Sequence, residues 1–227
     1  MPGTEHSAGT TAEQLAHARP AVERWLTWSG LIPLPVFLLL HLAFELRLAF
    51  ATDVREVLRP APSLLSLLTA WLLVWTPLVV HVGLASFFVL RGRKASTLAD
   101  DVAPLPRTLS RVTSALALLF LAYHARTYSL SVWLSEADAR DAGFRLIGEL
   151  SSTRLGVPLG AAAYLLGLLA TVTHAGLGLH RGLLAEGFLI APTWRRSSGR
   201  ACALFAATCF GLGAAAVIRV ASGLILG

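Results

Sequence analysis

Thiol chemistry is nearly excluded: Cys202 and Cys209 are the only two cysteines, seven residues apart in the last apolar run. An iron–sulfur cluster normally needs four ligands, and two cysteines give neither a zinc knuckle nor a disulfide framework. The two therefore read as small apolar residues on a helix face. Charge is scarce as well. Charged residues make up 14% of the chain, against about 25% in an ordinary soluble domain. They gather in short clusters between long apolar runs, which is the pattern of a membrane protein. No flavin or dinucleotide fingerprint is present, so dehydrogenase chemistry has to come from elsewhere. Residues 1–24 are polar and lack the apolar centre of an export signal.

What the sequence has is hydrophobic length. Five stretches can cover a hydrocarbon core of about 30 Å, which takes roughly 20 helical residues. They lie near Ser29–Phe50, Leu64–Leu90, Leu109–Leu134, Leu155–His180 and Ala201–Leu226. The expectation is an all-α integral membrane bundle of five helices over residues 25–227, preceded by a polar segment over 1–24. The formal net charge of +6 fits basic loops that orient the chain better than it fits nucleic-acid binding. Alternate loops carry eleven and seven Lys and Arg residues, with Arg219 inside the last span left out. The richer side should be cytoplasmic, which places the N-terminus inside a bacterial inner membrane and the C-terminus outside.

Seven histidines occur, and four of them, His41, His81, His124 and His174, lie one per span on the first four spans. Ionisable groups in hydrocarbon are costly and usually functional. Depth sorts them. His41 and His124 lie 12 and 15 residues past the inner ends of outward-running spans, about 18–22 Å up. His81 and His174 precede Arg91 and Arg181 by 10 and 7 residues, about 10–15 Å from the inner face. Two histidines at each of two depths, on helices of like direction, suit a pair of stacked bis-histidine haems. Gly30, Gly83, Gly176 and Gly178 on the same helices would allow close backbone approach. Pro77, one turn before His81, should disturb its helix. His180 adjoins Arg181 at the inner boundary and competes with His174, but is too shallow to match His81. It reads instead as a propionate or quinone contact.

The run Leu26-Thr27-Trp28-Ser29-Gly30-Leu31-Ile32-Pro33, followed by Phe37-Leu38-Leu39-Leu40-His41-Leu42, looks like the opening helix of a known family. In the third span Arg111-Val112 leading to Phe120-Leu121-Ala122-Tyr123-His124 is similar to that family too, and Thr173-His174-Ala175-Gly176-Leu177-Gly178-Leu179 looks like its last ligand helix, with a glycine four residues after the histidine. Over about residues 22–190 the chain resembles the five-helix, di-haem cytochrome b membrane anchor of succinate dehydrogenases and fumarate reductases. The resemblance implies two haem b groups, a distal one held by His41 and His124 and a proximal one held by His81 and His174. It also implies a flavoprotein and an iron–sulfur subunit docked on the cytoplasmic face. Electrons would then pass from cluster to inner haem, outer haem and quinone, the quinone being a menaquinone. Some members carry a glutamate two residues before the last ligand; here that position is Val172, so the resemblance does not extend to a proton route through it. A quinone near the outer haem needs a proton partner. Glu45, one turn after His41, and Glu56, in the following loop, are the candidates, though ordinary interfacial charges explain them as well. Two alternatives stand beside this reading: a di-haem quinone cytochrome of another respiratory oxidoreductase, and a haem-free transporter or assembly factor.

Overall fold

The computed structural model describes residues 21–50, 65, 68–69, 71–90, 107–130, 145–153 and 156–222. Among these the chain is helical almost throughout, without a strand. Helix α1 (Ala21–Leu31) leads into α2 (Pro33–Phe50). A π-helical turn, Trp71–Trp75, precedes α3 (Thr76–Leu90). Helix α4 (Arg107–His124) runs on as a second π-helical turn, Ala125–Leu130. A short helix, α5, covers 145–151. Helices α6 (Leu159–Ala185) and α7 (Pro192–Ala221) complete the bundle.

The irregularities follow from residues that cannot continue a helix. Pro33 and Pro35 lack a backbone N–H, and the bonds around them are long: Ile32 N–H to the Trp28 carbonyl is 3.5 Å and Val36 N–H to the Ile32 carbonyl is 3.3 Å. The disturbance expected at Pro77 takes the form of the π turn just before it. Helix α6 passes His180 and stops five residues later. Gly187 there is left-handed (φ 79°), with Gly187 N–H on the Leu184 carbonyl and Phe188 N–H on the Leu183 carbonyl, a Schellman cap. Helix α7 starts at Pro192, its first-turn proline needing no donor. That is nine residues ahead of the apolar run, because polar first turns can extend a helix beyond the hydrocarbon.

Among the described residues four helices are long and apolar enough to cross a membrane: Ala21–Phe44, Trp71–Leu90, Leu159–Ala185 and Pro192–Ala221. Helix α4 is not among them, since Arg107, Arg111, Ser110, Thr113 and Ser114 dilute its first half. Helix α6 is the centre, packed on α7, α4 and α1, while α2 lies against α7 and α3 lies mainly on α1. One apolar cluster joins Ile147 and Leu150 of α5 to Ala161 and Tyr164 of α6 and to Val217 and Val220 of α7. A second joins Leu38, Val172, Ala175 and Cys209. Alanine and glycine at these seams let the backbones approach closely. Leucines and valines such as Leu39, Leu72, Val79, Leu119 and Leu204 point outward. Apolar surface of that extent calls for lipid rather than water.

Candidate functional site

His41 sits on α2 between Phe37, stacked at 5.2 Å, and Phe44 at 6.2 Å. His124, the last residue of α4, stacks on Phe120 at 5.8 Å and meets Tyr164 of α6 edge-on at 5.9 Å. The two imidazoles meet edge-on, with ring centroids 6.0 Å apart and planes at 82°. Metal–imidazole bonds of about 2 Å and a ring radius of about 1.1 Å would place two axial imidazoles about 6.2 Å apart across one ion. The spacing therefore fits a bis-histidine metal. The rings border a cavity between α2, α4, α6 and α7 that is partly open to the surroundings. Its walls are apolar apart from the two histidines, Tyr164 and Thr171. Val172, 1% exposed, is part of the same apolar wall.

Tyr164 is buried, and its hydroxyl lies 3.3 Å from His124 Nδ1. A hydroxyl can accept from Nδ1–H, and the tautomer so fixed carries its lone pair on Nε2, the nitrogen that binds a metal. His81 has a firmer version of the same arrangement. Its Nδ1 lies 3.0 Å from the Leu26 carbonyl of α1, which can only accept, and 3.3 Å from Ser29 Oγ. The proton is therefore on Nδ1, which leaves the lone pair on Nε2. Gly30 admits this contact, since a Cβ there would stand 2.6 Å from His81 Cε1. At Gly83 and Gly178 an added Cβ would meet nothing within 4 Å, and at Gly176 it would meet Cys202 and Ala206 of α7, so of the four glycines only Gly30 touches a histidine.

His174, half-buried on α6, is close enough to His81 for their charges to interact. Among the described residues the two rings make no stacked or edge contact. His174 Nδ1 is shut off from solvent with no hydrogen-bond partner among those residues. The ring also has a hydrogen bond with the Ser110 backbone of α4, so His174 is held from that helix while one ring nitrogen stays unpartnered. His174 stands eleven residues before the end of α6 and His81 nine before the end of α3, about 16 and 14 Å. Their depths agree more closely than the sequence alone suggested, because α6 is longer. His180, six residues on, is turned about 240° from His174 around the helix. Its Nδ1 lies 3.3 Å from Ser198 Oγ of α7, beside Gly199.

Glu45 lies on α2 four residues after His41, with its side chain outside the described residues, and Glu56 lies outside them altogether. Tyr164 and the Leu26 carbonyl were not among the residues read from the sequence. A tyrosine inside an apolar run was the available signal, since its hydroxyl must find a partner. Among the described residues no three or more His, Cys, Asp or Glu side chains converge as for a bare metal ion. A haem needs only two, because its ring supplies the other four positions. Fold and site together define a helical chain with membrane-length helices and imidazoles brought together between them. No family model, curated protein or solved structure matches the chain.

Proposed function

We propose that this chain is a five-span, di-haem cytochrome b that carries electrons between an iron–sulfur partner and a quinone, as the membrane anchor of a succinate:quinone oxidoreductase. The observation that carries this reading is the 6.0 Å separation of His41 and His124 on two different helices. His81 and His174 form the second pair, supported by their closeness to each other on α3 and α6. Helix α4 with its π-helical extension, Arg107–Leu130, is the fifth span. At about 1.5 Å per residue its 24 residues reach about 36 Å.

When bound, haem supplies one-electron redox chemistry with no open iron position for oxygen. The chain's own residues hold and tune it. His41, His124, His81 and His174 ligate; Tyr164 and the Leu26 carbonyl orient two of the rings; Phe37 and Phe120 keep water from the first pair. Arg24, Arg181, Arg195 and Arg196 lie at one end of the bundle and would receive the flavoprotein and iron–sulfur subunits. Quinone protonation would need a carboxyl at the other end, where the sequence offers Glu45 and Glu56 as candidates. Pyridine haemochrome analysis of the purified chain tests the reading. Two haem b per chain with low-spin spectra are expected, and protein that binds none in undamaged membranes overturns it.

A further inference from the structure

The end of the bundle that carries His41 and His124 is closed by α5. Ile147 and Leu150, 5% and 2% exposed, pack with Tyr164, Ala161, Val217 and Val220, and Phe44 and Phe120 border the same cluster. Glu149 sits between those two anchors, half-buried. Its Oε1 accepts a short hydrogen bond from the hydroxyl of Tyr123, the residue next to His124. The Glu149 carbonyl also abuts Gly160, where a Cβ cannot be built without moving α5. Gly160 is one helical turn before Tyr164, the hydroxyl partner of His124. The carboxyl of Glu149 is thus held in place from α4 and its backbone from α6, beside the elements that carry the first histidine pair. Tyr123 is 45% exposed on the side of a helix that lies in the bundle. One end of this polar pair meets the surroundings of the bundle, and the other reaches the segment that leaves it.

We propose that Glu149 exchanges protons with a quinone that reacts beside His41 and His124, and that Tyr123, whose hydroxyl donates to the Glu149 carboxyl, holds that carboxyl in position. The inference rests on the function proposed above and names a residue for its quinone chemistry. Reduction of one quinone takes two electrons, delivered singly from the iron–sulfur partner through this chain, and two protons. Each carbonyl oxygen gains one proton as the ring becomes a hydroquinone. Glu149 gives up its carboxyl proton and regains one from the aqueous phase, twice per turnover; hydroquinone oxidation reverses every step. A carboxyl suits both halves of this exchange, because it can act as general acid in one direction and general base in the other. A purely mechanical latch would not need it. Ile147 and Leu150 already fasten α5, and a glutamine would accept the Tyr123 hydrogen bond equally well.

That difference supplies the test, made on the intact complex containing the full chain. Glu149→Gln keeps an acceptor for Tyr123 and removes the exchangeable proton. It is expected to retain both haems and electron transfer to a soluble dye, while quinone-linked turnover falls about 100-fold, the scale of a lost general acid–base group. Glu149→Asp should recover part of that loss, and Tyr123→Phe, which frees the carboxyl, should lower kcat with quinone more than it raises KM. Quinone-linked turnover within about twofold of the unsubstituted complex in Glu149→Gln makes Glu149 a latch only and overturns the proposal, all the more if Glu45→Gln shows the loss instead. If Glu149→Gln fails to assemble, labelling of the unsubstituted protein by dicyclohexylcarbodiimide decides. Modification of Glu149 that a short-chain naphthoquinone blocks supports the proposal, and an unmodified or unprotected Glu149 overturns it. Absence of haem in the unsubstituted protein would instead strike the parent reading, and would be seen before any variant is made.

Discussion

A histidine binds metal through whichever ring nitrogen its other nitrogen's partner leaves with a lone pair, and the two pairs here differ in that partner. His81 gives its Nδ1 proton to a backbone carbonyl at 3.0 Å, whereas His124 faces a phenol at 3.3 Å. The carbonyl is the stronger acceptor and makes His81 the more electron-rich ligand. Tyr164→Phe should therefore retain both haems and raise the midpoint potential of one only. A lost hydrogen bond of about 1 kcal/mol corresponds to roughly 40 mV for one electron. Redox titration monitored optically checks this, and two unchanged potentials would remove Tyr164 from the site. At the inner pair, His174→Ala should eliminate one haem, while His180→Ala should leave two, because His180 is turned toward Ser198. Haem-to-protein ratios decide, and the reverse result transfers the ligand to His180. The four histidines were legible in the sequence because an imidazole stands out in an apolar run. Their partners were not. Whether Tyr164 or another α6 residue meets His124 depends on how α4 and α6 are rotated about their axes, and hydropathy does not fix that rotation when nearly every face is apolar.

At the scale of elements, the sequence showed where helices are and misjudged where they stop. Long apolar runs announced α2, α3, α6 and α7, but a span is counted by hydrocarbon and a helix by hydrogen bonds. Helix α6 therefore outlasts its apolar run to a glycine cap at Gly187, and α7 begins at Pro192 amid Arg195, Arg196 and Ser197. The same distinction separates the glycines. Gly30 is where α1 comes against the His81 ring, and an added methyl would sit 2.6 Å from Cε1 and 2.8 Å from Nδ1. Gly30→Ala should displace His81 and cost about 1–3 kcal/mol, as overpacking does. The expected outcome is loss of the inner haem with the outer haem kept, read from the low-spin spectrum and the thermal midpoint. Gly83→Ala, on the same helix as His81 but facing open space, is the control and should change neither. Equal effects of the two would show that helix geometry, and not the contact with His81, governs that site.

For the whole molecule, the number of crossings and the placing of the histidines are one question. Among the described residues four helices have the length and apolar character of spans, and α4 with its π-helical extension carries Arg107, Arg111 and Arg126 around its apolar centre. Arginines near both ends of a helix are compatible with crossing, because their long stems let the charged heads reach the interfaces. His124 also has to stand at the level of His41, 6.0 Å away, and α4 packs along α6, so a surface-lying α4 would pull apart the first pair. Parity makes the count measurable. With five crossings, a tag ahead of Ala21 and one after Gly227 lie on opposite sides of the membrane; with four they lie on the same side. The excess of Lys and Arg in the loops after α3 and α6 puts the first tag in the cytoplasm. A fluorescent protein that matures only in the cytoplasm should therefore report from the N-terminal position and stay dark after Gly227. Alkaline phosphatase, active only outside, should give the converse. Both reporters cytoplasmic would mean that α4 does not cross, and the His41–His124 pair would then lie at a surface, too wet to hold a buried haem. Both results inverted would keep five spans and exchange the depths of the two pairs, so the iron–sulfur partner would dock at the end closed by α5 and the quinone site would move to the end that carries His180.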